Sequence, residues 1–120
     1  PTPAKPGDPI GSCGPTTSGR MDAYTPTMLA QGIKGMVGKG SRSPEVVDAM
    51  KKNGVTYFAA VGGAAALIAK SVKKYEVVGY PELGPEAVAK LTVEDFPCIV
   101  VIDSEGNDFY EIGQKPYRRL

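Results

Sequence analysis

No histidine and no tryptophan occur in the chain, and there are only two cysteines. The missing histidine removes the side chain most often used for proton transfer near neutral pH, and with it any zinc or non-haem iron centre held by imidazole from within the chain. Cys13 and Cys98 lie far apart and outside any CxxC spacing, so neither a disulfide framework nor a zinc site has support. Free buried thiols are the expectation, and a reduced, cytoplasmic setting follows from it. A long apolar run is missing too. The most apolar stretch, Val55 to Ala69, is broken by Thr56, Gly62 and Gly63, well short of the roughly 20 apolar residues a membrane span needs. It reads as buried core. Nor is there an excess of one charge: 14 basic residues stand against 13 acidic ones, so no global field draws the chain to nucleic acid or anionic membrane. Any basic site must be local. No secretory pattern opens the chain, which starts at Pro1 without a methionine, so an upstream segment is expected to have been removed. Catalysis, if the chain takes part in it, must use threonine, lysine, tyrosine or carboxylates, or lean on a partner.

What is present fits one domain of 120 residues, 42% of them hydrophobic. Residues 1–9 hold four prolines and a glycine and read as an extended connector. Residues 10–120 read as a single domain in which a short apolar run, a glycine- or serine-rich loop and a helical segment recur. A first strand is expected around Ile10 to Cys13, then a helix from Thr25 as cap to Gln31. Ile33 to Val37 reads as a strand, and Ser43-Pro44-Glu45 opens a helix through Lys52 that Gly54 ends. Val55 to Val61 is the next strand, Gly62-Gly63 its turn and Ala64 to Ser71 a helix. Tyr75 to Val78 and Pro97 to Ile102 read as further strands, with a helix from Gly84 to about Leu91 between them. Residues Asp103 to Asn107 form a turn signal leading into Phe109 to Ile112, so the last pair reads as a hairpin. The expected fold class is therefore α/β, a mainly parallel sheet with helices on its faces and a C-terminal hairpin.

Such sheets place ligands where the strand-to-helix loops gather. The first loop, Gly14-Pro15-Thr16-Thr17-Ser18-Gly19-Arg20-Met21-Asp22, offers three consecutive hydroxyls between glycines, and Arg20 adds a planar fork that can hold a carboxylate through two parallel hydrogen bonds. It describes a carboxylate or phosphate cradle; the plain alternative is a polar turn with a solvated arginine. The second loop, Gly38-Lys39-Gly40-Ser41-Arg42-Ser43, precedes a helix N-terminus, where free N–H groups and the helix dipole favour anions. Lys39 and Arg42 strengthen that preference, although the GxxxxGK[ST] spacing of a nucleotide loop is absent. Gly62-Gly63 lacks functional side chains and reads first as structural, with a backbone wall for a site as the functional alternative. Shared placement would bring Arg20, Lys39 and Arg42 to one edge, suited to a small dianion. Asp103 and Glu105 invite an acid–base reading that the turn itself makes unnecessary. Lys73-Lys74 and Arg118-Arg119 read as solvated charge, and Tyr24 as buried beside the first helix.

Five runs taken together resemble a known family: GPTTSGRMD at Gly14 to Asp22, GKG at Gly38 to Gly40, VGGAAAL at Val61 to Leu67, ELGPEA at Glu82 to Ala87 and DFPCIVVIDSEGND at Asp95 to Asp108. In unbroken order from about Ile10 to Ile112, they are similar to the beta subunit, or C-terminal domain, of class I fumarate hydratases. The resemblance implies a swivelling β/β/α-type domain closing over a four-iron, four-sulfur cluster held by the cysteines of an alpha subunit. One iron acts there as Lewis acid on malate or fumarate. By this resemblance Arg20 clamps a substrate carboxylate and Lys39 binds the same dianion. Thr16 takes the C3 proton, while Thr17, Ser18 and Gly19 line the cradle. Cys13 and Cys98 are not cluster ligands. The family carries a further segment with another substrate-contacting arginine before the proline-rich stretch, and nothing here matches it, so the chain reads as a fragment of a longer subunit, inactive alone. The L(+)-tartrate dehydratase beta subunit shares the GPTTS and GKG runs and is the runner-up, with Gly19 favouring the fumarate branch. A non-catalytic dicarboxylate-binding module is the third reading.

Overall fold

The computed structural model describes residues 1–60, 65–114 and 116. They form two compact units: Pro1–Pro15 with Val61–Pro97, and Thr16–Ala60 with Cys98–Leu120.

The second unit holds α1 (Thr25–Ala30), β1 (Gly35–Gly38), α2 (Pro44–Asn53), β2 (Thr56–Ala59), β5 (Ile99–Ile102) and α4 (Phe109–Ile112). Its sheet has the order β1-β2-β5, with β1 and β2 parallel and β2 and β5 antiparallel. The pleat sorts the side chains by face. Met36, Tyr57 and Ile102 stand in register across the three strands, as do Val37, Phe58 and Val100. Tyr57 and Ile102 join Leu29 of α1, Val46 and Met50 of α2, Val55 and Val101 in one buried cluster, against which Met36 packs. Both helices therefore cover the Tyr57 face. On the other face Val37 and Val100 remain 55% and 52% exposed.

Helix α2 follows the sequence closely. Ser43 caps it, Pro44 occupies the first turn, and Gly54 ends it in the left-handed region at φ 66°. Burying Val46 and Met50 completely anchors it, each contributing roughly 2 kcal/mol of transfer free energy. Helix α1 starts one residue differently from the expectation. Tyr24 is the cap position, and Thr25 turns its hydroxyl inward as a donor to the Met21 carbonyl at 2.8 Å.

The first unit contains α3 (Ala65–Ser71), β3 (Val72–Gly79) and β4 (Val88–Val93), the two strands antiparallel. Ile10, Ile68 and Val72 are buried. The proline-rich opening folds back: Thr2 N donates to the Ser12 carbonyl at 3.0 Å, and Ser12 N to Thr2 Oγ1 at 2.8 Å. No strand forms at Ile10 to Cys13; the Cys13 amide donates instead to the Ala65 carbonyl at 3.2 Å.

Two expected elements change type. The helix expected from Gly84 to Leu91 is a 3-10 stretch, Pro81–Glu86, broken at Gly84 (φ 57°, ψ −118°), and then β4. Alternating Val88, Ala89, Lys90, Leu91, Thr92 and Val93 suit a pleat, and β3 supplies the partner, with Tyr75 opposite Leu91 and Val77 opposite Ala89. The C-terminal hairpin is not formed either. Its turn does reverse the chain, but pairing stops at one bridge, Ile102 to Asp108. Asp108 Oδ1 then accepts from Tyr110 N at 3.0 Å, capping α4 where a strand was expected.

Candidate functional site

The two side-chain-bearing loops meet within the second unit. Thr17 and Lys39 form an isolated parallel bridge, and Ser18 N donates to the Lys39 carbonyl at 3.0 Å. A Cβ on Gly38 would overlap the Ser18 hydroxyl, which would then have to turn away from Tyr57. Gly40 completes the bend at φ 87°, a conformation glycine adopts without penalty. After the bridge the first loop winds into a 3-10 turn, Ser18–Met21. Thr16, Thr17, Gly19, Arg20 and Lys39 are exposed, and Ser18 is half-buried.

Arg42 behaves unlike the other two cations. It is 9% exposed, its Nε donates to Asp22 Oδ1 at 2.7 Å, its Nη2 to Thr25 Oγ1 at 2.8 Å and its Nη1 to Met36 Sδ at 3.3 Å. The guanidinium carbon lies 5.2 Å from the centre of the Tyr57 ring. The second oxygen of Asp22 accepts from Ser43 N at 2.8 Å. The anion expected at the start of α2 is therefore the protein's own carboxylate. Arg42, expected at a ligand-binding edge, is corrected to a buried cation paired with Asp22. The sequence did carry a signal for it: Asp22 sits in the first loop and Arg42 in the second, but no local spacing relates them.

A second tie joins the loops through hydroxyls. The Tyr57 hydroxyl, on β2, lies 2.9 Å from the Gly40 carbonyl and 2.8 Å from Ser18 Oγ. A phenol has one proton and a carbonyl only accepts, so Tyr57 donates to Gly40 while the Ser18 hydroxyl supplies the proton of the other bond. Burial pushes the Tyr57 pKa up from 10.0; the Ser18 bond opposes that shift without cancelling it. Tyr110 of α4 accepts from the Gly40 amide at 3.1 Å. Gly40 is thus held by phenols on both sides, Tyr110 on its amide and Tyr57 on its carbonyl.

The arrangement leaves the side chains of two cations, Arg20 and Lys39, exposed and without a hydrogen bond or ion pair to the described residues, on loops stitched together at Thr17 and Lys39. Chemically, that is a fork and a point charge available to a small dianion, beside the threonine hydroxyls. Gly62 and Gly63 lie outside the described residues, as do Arg118 and Arg119. Asp103 closes its turn, accepting from Glu105 N at 3.0 Å, Asn107 N at 2.9 Å and Asn107 Nδ2 at 2.9 Å. The Asn107 side chain leads in holding its carboxyl below the ordinary range. Tyr24, expected to be buried, is 65% exposed, since Thr25 takes the inward position. Lys74 pairs with Glu76 at 3.2 Å on the surface. The thiols of Cys13 and Cys98 are free and half-buried. Among the described residues no three histidine, cysteine, aspartate or glutamate side chains are grouped to hold a metal ion, and no helix is long and apolar enough to cross a membrane. An open hollow of about 730 Å³ in the first unit is lined by Thr2, Lys5, Asp8, Ile10, Lys70 and Lys73 among others, and by none of the predicted site residues.

Residues 1–113 match the family described as Fumarase C-terminus. The chain is 52% identical over 103 residues to the aerobic class I fumarate hydratase of Escherichia coli K12, covering 84% of this chain and 19% of that protein. It is 49% identical over 112 residues to the anaerobic class I fumarate hydratase of the same strain, covering 92% and 20%. It is also 46% identical over 114 residues to a protein of Methanocaldococcus jannaschii assigned provisionally as L(+)-tartrate dehydratase subunit beta, covering 91% and 58%. The chain thus spans about a fifth of the length of the two Escherichia coli relatives.

Proposed function

The chain belongs to the Fumarase C-terminus family, and from that membership we propose that it is the substrate-binding and catalytic-loop part of a two-part hydro-lyase interconverting (S)-malate with fumarate and water. The observation that carries this reading is the selective pairing of cations. Arg42 and the α2 N-terminus are occupied by Asp22, whereas Arg20 and Lys39 stand exposed on adjoining loops. In dehydration Arg20 fixes one carboxylate in angle and distance, Lys39 neutralises the dianion, and Thr16 takes the C3 proton as the C2 hydroxyl leaves and the double bond forms. Thr17, Ser18 and Gly19 line the cradle. A threonine hydroxyl is a weak base, so its activation draws on nearby cations or a relay.

The residues of this chain do not fit a resident iron–sulfur cluster. It has two cysteines, and its described residues hold no ligand group. In our reading a partner alpha subunit, or the corresponding part of a longer chain, holds the four-iron, four-sulfur cluster in the cytoplasm. The present chain, inactive alone, closes over that cluster as a swivelling domain. L(+)-tartrate is the second substrate to consider, supported by the similarity to the tartrate dehydratase subunit. Gly19 bears on the choice. A Cβ there would meet only Ser41 O at 3.8 Å and Asp22 Oδ2 at 3.9 Å, so packing within the chain does not itself demand glycine at this position.

The assembled enzyme, assayed without oxygen on malate and tartrate in parallel, tests the proposal. Turnover of malate that is strongly reduced, though still measurable, in Arg20→Met and Lys39→Met supports it. Turnover of tartrate alone moves the chain to the other branch, and full activity of both variants removes these loops from the site.

A further inference from the structure

Lys39 is useful to a dianion only if its backbone is fixed relative to Arg20, and a glycine-flanked loop does not fix itself. Gly38 and Gly40 on either side have the widest conformational freedom of any residue. Left to the chain, Lys39 would lose much of that freedom on binding and weaken the grip accordingly. The structure supplies the constraint from elsewhere. The Gly40 carbonyl accepts from Tyr57 at 2.9 Å, the Gly40 amide donates to Tyr110 at 3.1 Å, and Ser18, which leads into Arg20, bonds Tyr57 at 2.8 Å. Ser18 N also donates to the Lys39 carbonyl. Tyr57 is wholly buried in the main core cluster, and Tyr110 packs against that cluster. The rigid part of the unit therefore reaches the loop through two phenols.

We propose that Tyr57 and Tyr110 are positioning residues for substrate. Together with Ser18 they hold the backbone of Lys39 and Gly40 so that the Lys39 ammonium and the Arg20 fork converge on one dianion. Neither tyrosine needs to touch the substrate. With its pKa raised above 10.0 by burial, the Tyr57 phenol stays protonated across the neutral range, so its donation to Gly40 is constant there. The inference rests on the reading of Arg20 and Lys39 as substrate cations.

The test is a double-mutant cycle in the assembled, cluster-loaded enzyme, with malate as substrate. Tyr57→Phe keeps ring and packing while deleting the hydroxyl, and should lower kcat/KM by about tenfold, most of it in KM, because a misplaced cation weakens binding. In a Lys39→Met background the same change should cost less than about twofold, since there is no ammonium left to misplace. A residue that merely supports the fold would cost equally in both backgrounds, and that result overturns the proposal. So does unchanged kinetics for Tyr57→Phe. Tyr110→Phe, half-buried and with a single loop bond, repeats the cycle should Tyr57→Phe fail to fold. Lys39→Met with normal kinetics would overturn the functional reading and this inference with it. A damaging Lys39→Met beside a harmless Tyr57→Phe and Tyr110→Phe sinks the inference alone.

Discussion

Asp22 does for the second loop what a bound anion would do, and this assigns different work to three nearby cations. Its carboxylate satisfies Arg42 and the amide that starts α2, so removing the charge strands a guanidinium whose side chain is 4% exposed. Asp22→Asn should lower stability by about 3 kcal/mol, read from the urea midpoint, because an uncompensated buried charge costs more than the pair contributes. Arg20 predicts the opposite pattern. Arg20→Lys in the assembled enzyme should leave the unfolding curve in place and reduce kcat/KM by on the order of a hundredfold, ~3 kcal/mol of transition-state binding, because an ammonium cannot hold a carboxylate at two points. Tyr57 adds a pH dependence. Its folded pKa lies above the 10.0 of the free side chain, so the folded state holds the proton more tightly. That contribution is complete below pH 10.0 and is lost as pH rises through the folded value. Melting temperatures above pH ~10 should therefore fall faster for the wild type than for Tyr57→Phe. That the loops of Arg20 and Lys39 would lie together was expected from their shared placement, and the Thr17–Lys39 bridge joins them. The Asp22–Arg42 pair was not legible, since Arg42 follows Lys39 closely in sequence and only the path of the chain buries one and exposes the other.

At the scale of elements, α2 was the most legible piece because each of its signals is local. Ser43 caps, Pro44 starts, and Gly54 takes a left-handed φ of 66°. Gly54→Ala should cost about 1 kcal/mol, measurable as a shifted urea midpoint with an unchanged slope. β4 and α4 were read as the wrong type for one shared reason: each is decided by a distant partner. Gly84-Pro85-Glu86 looks like a helix start, yet the residues after it pair with β3, and pairing overrides a weak helical preference. Phe109 to Ile112 looks like the second arm of a hairpin. Asp108 instead caps it as a helix, and Tyr110 then reaches the Gly40 amide. A strand begins and ends where its neighbour permits, whereas a cap acts within one turn.

For the whole molecule, the coverage of a fifth of the Escherichia coli relatives frames one further prediction. The isolated chain, reconstituted anaerobically with iron and sulfide, should bind no stoichiometric iron and dehydrate no malate, checked by iron analysis and by absorbance of fumarate; a loaded, active chain would contradict the two-part reading. The family was legible from runs at five places, while the division into two units was not, because each unit draws on chain segments far apart in sequence. The same interleaving sets an order of assembly. The Tyr57 tie to Gly40 spans 17 residues and the Tyr110 tie spans 70, so the Tyr110 closure costs about 1 kcal/mol more in chain entropy. On a ribosome the difference is one of time as well as energy. Every proposed substrate-contacting residue of this chain emerges before Tyr110 is made, so the nascent loops have the Tyr57 tie first and wait for α4 to supply the second. A chain stopped after Ile102 would hold all the proposed substrate contacts and only one of the two phenols that still them.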